Sequence, residues 1–119
     1  RGTYVDYGDR RQVFISGTAS INNKGEIMYP GDIRQQVLRL WENVEVLLKE
    51  ADCTFEHVGH LLVYLRDVAD YTVVKEMFEE RFPSIPKVYL LAPVCRPGWL
   101  IEMECMAVRS ICDERYPAY

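Results

Sequence analysis

Leu100-Ile101-Glu102-Met103-Glu104-Cys105-Met106-Ala107-Val108 decides the fold, because it alternates strictly yet is not polar on either face. Side chains in a strand point to opposite faces at every step, so Ile101, Met103, Cys105 and Ala107 share one face. That face needs a helical cover. Leu100, Glu102, Glu104, Met106 and Val108 fall on the other face, where carboxylates stand among apolar side chains.

Working outward, Lys87 to Leu91 and the β-rich run from Val58 to Asp67 are two further strands, the latter read as central. In it Leu61, Val63 and Leu65 oppose Leu62, Tyr64 and Arg66. Gln12 to Gly17 alternates and stops at Gly17, Tyr4 to Tyr7 can pair with it, and Asn22 to Gly25 is turn chemistry before a short edge at Glu26 to Tyr29. Behind Asp32, an N-cap, Ile33, Val37, Leu40, Trp41, Val44, Leu47, Leu48 and Ala51 form one apolar stripe, which predicts a helix over 32–51. A second helix over 70–82 is capped by Asp70, carries Val73, Val74, Met77 and Phe78, and is stopped by Pro83. The order β, β, α, β, α, β, β predicts an α+β fold, one sheet with both helices on a single face. Phe14, Leu62, Tyr64 and Met106 then lie uncovered beside the carboxylates, and a patch of that kind calls for other subunits.

At 119 residues the chain is one domain spanning 1–119, and it reads as a piece of a longer polypeptide or as a chain lacking its first residues, since it opens at Arg1 in a strand-like segment. Fourteen Lys plus Arg against eighteen Asp plus Glu give a net charge of -4, the wrong sign for tracking phosphates, so nucleic acid is a poor partner. Apolar runs such as Val88 to Val94 fall far short of the ~20 residues that span a bilayer, so no membrane is expected. Cys53, Cys95, Cys105 and Cys112 are too irregular for a disulfide scaffold, which predicts reduced thiols and a cytoplasmic setting. His57 and His60 lie three apart with only Glu56 near them, too few ligands for zinc.

Ser16-Gly17-Thr18-Ala19-Ser20, Asn43, Val63-Tyr64-Leu65-Arg66-Asp67 followed by Asp70, and Ile101-Glu102-Met103-Glu104 resemble the RidA/YjgF superfamily, also called endoribonuclease L-PSP, over nearly the whole chain. The resemblance implies a trimer of chorismate-mutase-like α+β subunits whose sheets face inward, with ligand clefts between subunits. It implies neither a metal nor an organic cofactor. RidA enzymes hydrolyse imines and enamines, and an arginine two residues after the proline before the fourth strand grips the substrate carboxylate. Here Pro86-Lys87-Val88 places Val88 there, and Lys87 points to the other face, so this activity lacks its clamp. Gly17-Thr18-Ala19-Ser20 and Cys95-Arg96 followed by Leu100 and Glu102 also resemble the C-terminal half of the longer chorismatases, which cleave the enolpyruvyl ether of chorismate with arginines and a glutamate. The family's older label implies a ribonuclease or translation inhibitor, against which the negative charge weighs.

Glu102 is the candidate catalytic residue, a carboxyl in a cleft able to give a proton, with Glu104 two residues on to repel it and help keep one of them protonated. Six further residues complete a predicted site for a small carboxylate-bearing ligand. Arg96 is either a clamp for that carboxylate or a plain surface arginine, and Cys95 beside it is either a thiol activated by Arg96 or a pocket wall. Tyr64 and Arg66 offer a hydroxyl and a cation, with core packing the alternative for Tyr64. Thr18 and Ala19 offer backbone N–H groups where the first strand ends, or form a plain turn. Arg10 and Arg11 read as a solvated hairpin end.

Overall fold

The computed structural model describes residues 1–118. Five strands, β1 (Gly2–Asp6), β2 (Arg10–Ala19), β3 (Val58–Leu65), β4 (Lys87–Leu91) and β5 (Ile101–Ser110), form one mixed sheet in the order β1-β2-β5-β3-β4. Helices α1 (Ile33–Glu50) and α2 (Tyr71–Arg81) cover one face. β3, α2 and β4 make a parallel crossover, while β2 and β3 run in the same direction with β5 antiparallel to both between them. The centre of the sheet is therefore β5, and β3 lies one place from it.

The covered face follows the two periodicities. From α1, Val37, Leu40, Trp41, Val44 and Leu48 are buried, and from α2, Val74 and Phe78. They close on Val13, Ile15, Leu61, Val63, Leu65, Ile101, Met103, Cys105 and Ala107. Trp41 meets Phe78 edge to face at 5.2 Å and Phe82 at 5.4 Å, an arrangement aromatic rings prefer. Among the described residues no helix is long and apolar enough to cross a membrane.

Several local expectations are corrected. β2 does not stop at Gly17. Ile15 pairs with Cys105 and Thr18 with Met103, so Ser16 and Gly17 together oppose Glu104 in a bulge, and the strand runs on to Ala19. Glu26 to Tyr29 is not a strand; a single bridge joins Ile21 and Ile27, and positive φ at Gly25, Tyr29 and Gly31 keeps the segment coiled. The cap before α2 is Asp67, which accepts from the Ala69 N–H and starts a 3₁₀ turn over Val68–Asp70, whereas Asp70 makes no cap bond. Arg11 is no solvated end: it grips Asp6 at 2.7 and 2.9 Å, donates to the Ala51 carbonyl at 3.1 Å and lies 3.9 Å from the Tyr4 ring centre. That bidentate pair holds the Asp6 carboxyl below its ordinary value.

Candidate functional site

On the open face β5 presents Glu102, Glu104 and Met106. Glu102 lies between Ala19 of β2 and Tyr64 of β3, with Leu90 of β4 one strand further. It is 9% exposed, unusual for a carboxylate without a cation beside it. Its partners come from one residue of the β4–β5 connection: the Cys95 N–H donates to Oε1 at 3.3 Å, and Cys95 Sγ is 3.9 Å from Oε2. The bulge brings Gly17 in from the other side, where a Cβ would stand 3.6 Å from Oε2.

Glu104 is engaged differently. The Tyr64 hydroxyl donates to its Oε1 at 2.7 Å, which holds the phenol above its ordinary value, because ionising it would lose that bond beside a carboxylate. Tyr64 thus bridges the rung of Glu102 to the side chain of Glu104.

The site brings together most of the predicted residues, with three changes of role. Cys95 is exposed, but the hydrogen bond to Glu102 pushes its thiol up, and the opposing influence of Arg96 is smaller. It is a wall and donor to Glu102 rather than an activated nucleophile. Arg96 turns away, donating to the Gly25 carbonyl at 2.8 Å with its guanidinium 5.0 Å from the Trp99 ring centre. Thr18 and Ala19 are not an anion-binding turn; both are buried in the strand, Thr18 Oγ1 donates to the Ser16 carbonyl at 2.8 Å, and the Ala19 carbonyl accepts from Asn43. Arg66 donates to the Pro97 carbonyl and, with Leu91, Pro93 and Cys95, lines a hollow of about 650 Å³ beside the site. A second hollow of about 590 Å³ on the open face is lined by Arg1, Phe14, Ser16, His60, Glu104 and Met106.

Val88 is half exposed on the open face of β4, next to Leu62. Lys87 faces the helices, its Nζ 2.7 Å from the Phe82 carbonyl and 3.8 Å from Glu79. No cation from β4 reaches the site. His57 Nδ1 accepts the Thr54 N–H as a cap, and among the described residues no cluster of three or more His, Cys, Asp or Glu could hold a metal.

Sequence reasoning missed Gln36, whose amide is fully buried and joins the loops around the site. Its signal was present as a polar residue inside the apolar stripe of α1, one position before Val37.

Residues 1–109 match the family model described as Endoribonuclease L-PSP. A 3-hydroxybenzoate synthase of Streptomyces hygroscopicus is 35% identical over 103 residues, covering 78% of this chain but 30% of that protein. The 2-iminobutanoate/2-iminopropanoate deaminase of Mus musculus is 29% identical over 103 residues, covering 84% of this chain and 76% of the deaminase. The crystal structure of E. coli TdcF with bound serine superposes with a TM-score of 0.75 at 25% identity, over 90% of this chain and 86% of that one. With its two-helix, single-sheet fold and a match over nearly all its length, the chain belongs to the endoribonuclease L-PSP family, the RidA/YjgF superfamily.

Proposed function

We propose that the chain assembles as a homotrimer, binds a small carboxylate-bearing metabolite in a cleft completed by a second copy, and uses Glu102 to move a proton in a hydrolysis or lyase step. The observation that carries this reading is the Glu102 carboxyl itself. It is almost buried, held among the described residues by Cys95, and placed on the sheet face that the helices leave uncovered. In hydrolysis a carboxyl so placed gives a proton to the leaving atom and regains one from the attacking water, so that one water is consumed. In a lyase step it regains the proton from the carbon that becomes unsaturated, and in both Glu102 ends unchanged. Iminobutanoate, hydroxybenzoate and serine, the compounds in the names of the three similar proteins, are all small carboxylates.

Val88 weighs against imine and enamine hydrolysis at the rate of RidA enzymes, because no guanidinium stands on β4 to orient the substrate carboxylate. Arg66, which lines the hollow beside Cys95, is the cation best placed to take that part. A chorismatase-like cleavage of an enolpyruvyl ether is the chemistry to test beside it. The experiment is turnover of 2-iminobutanoate and of chorismate by the parent and by Glu102→Gln, with solution mass measured by light scattering. The variant keeps size and hydrogen bonding but has no transferable proton, so activity should fall by ~10² to 10⁴ with folding intact. Turnover within about threefold of the parent, well inside that range, would leave Glu102 a strand residue. A mass of one chain at micromolar concentration would remove the cleft. Binding of either carboxylate without turnover would instead support a second reading, a ligand-binding or scaffolding subunit, which the missing clamp at Val88 favours.

A further inference from the structure

Gln36 is polar, yet it is fully buried near the start of α1. Its Nε2 donates to the Tyr29 carbonyl at 3.2 Å and the Gly98 carbonyl at 2.9 Å, while Oε1 accepts the Leu100 N–H at 2.9 Å. Only an amide supplies donors and an acceptor at one tip, so neither Glu nor Leu reproduces the set. The same side of α1 continues three and seven residues on, where Arg39 Nε donates to the Ile21 carbonyl and Asn43 Nδ2 donates to the carbonyls of Ala19 and Ile21. This polar stripe holds backbone carbonyls of two segments, residues 19–29 and the β4–β5 connection. Those segments also hold each other: Arg96 reaches the Gly25 carbonyl, and Gly98 fits so closely against Ile27 that a Cβ would meet Ile27 Cδ1 at 2.7 Å.

Cys95, which contacts both carboxylate oxygens of Glu102, stands three residues before Gly98 on that connection. We propose that Gln36 is a positioning residue of the site: by fixing Gly98 and Leu100 it sets where Cys95 stands over Glu102. The proposal rests on the Glu102 site described above, but its test needs no substrate, so the two fail separately.

The reporter is the Cys95 thiol, whose ionisation Glu102 opposes through their contact. Cys112, the other exposed cysteine, is replaced by Ser, while Cys53 and Cys105 are buried. The rate of Cys95 alkylation by iodoacetamide is then followed against pH in this background, in Gln36→Leu, in the shorter amide Gln36→Asn, and in Glu102→Gln as the control. If Gln36 positions the loop, both variants move the profile at least about half a pH unit toward the ordinary thiol value of 9.0, which multiplies the rate below the midpoint about threefold. Glu102→Gln should do the same. A residue that only stabilises the fold lowers the melting temperature and leaves the profile of the folded protein unmoved, and that result in either folded variant overturns the proposal. In the unmodified protein the Cys95 and Leu100 amides should exchange hydrogen through one shared opening. Leu100 protected with Cys95 exchanging as an open chain would overturn the proposal even if neither variant folds.

Discussion

The two faces of the sheet are built from the same strands, residue by alternate residue, and they are finished differently. On the helix side of β5, Ile101, Met103 and Ala107 are wholly buried, and charged side chains such as Lys87, Arg11 and Arg81 stand at the margin. On the other side Phe14 is 41% exposed and Val88 50%, with Glu102, Glu104 and Tyr64 among them. One face is completed by the chain's own helices. The other keeps its apolar surface and its ionisable groups together on the side the helices do not cover.

The contrast is broken most strongly by paired truncations. Phe78→Ala on the covered side should cost about 3 to 5 kcal/mol in urea unfolding, because a fully buried ring leaves a cavity between Trp41 and Tyr89. Phe14→Ala should cost under about 1 kcal/mol to the single subunit, yet lower the mass seen by light scattering. Equal losses with unchanged mass would mean that the faces are energetically alike.

A smaller effect comes from pH. Burial pushes the Cys105 thiol up to about 12 from its ordinary 9.0. The unfolded chain therefore gives up this proton first, and stability, undiminished below pH 9, falls as pH rises toward 12, by at most about 1.4 kcal/mol per pH unit from this group. Tyr89, raised mainly by burial, adds to the fall at the alkaline end. Urea midpoints between pH 8 and 11 should decline, and Cys105→Ala should flatten the decline while lowering the starting value.

The smallest effect sharpens the open face. Glu104→Gln should bring the ultraviolet titration of Tyr64 back toward 10.0, and Tyr64→Phe should cost about 1 kcal/mol, the size of one hydrogen bond. An unmoved titration in Glu104→Gln would mean that the 2.7 Å contact is not kept in solution.

Both periodicities were readable in the sequence, and with them the α+β fold, the two helices and the sorting of β5 into two faces. The alternation of β5 fixes which carboxylates face away from the helices with no tertiary information. What escaped depends on contacts distant in sequence. Gly17 looked like a strand end because a bulge and a stop use the same residue, and only pairing with β5 tells them apart. Arg11 looked solvated because its grip on Asp6 needs the hairpin register that sets the two opposite each other, and its other partner, the Ala51 carbonyl, lies forty residues away. Arg96 looked free to bind a carboxylate because the Gly25 carbonyl it meets belongs to a turn far upstream. Asp67 and Asp70 both qualify as caps, and the choice follows from a 3₁₀ turn that short-range propensity does not resolve.

Strand order also bears on how the protein is made. Of the five strands β5 is the last in chain order and the one at the middle of the sheet. Until it arrives, the β1–β2 hairpin and the β3–α2–β4 crossover have no strand in common, and each shows a bare inner edge to the cell. A nascent chain halted at Gly98 would therefore be two adhesive half-sheets, in need of shielding from neighbours and from chaperone-free encounters. Insertion of one ten-residue segment seals both edges, buries Met103 and Cys105, and delivers Glu102 to Cys95 and Tyr64 in the same event. The Glu102 site cannot precede the fold, because the strand that completes the sheet carries that carboxylate.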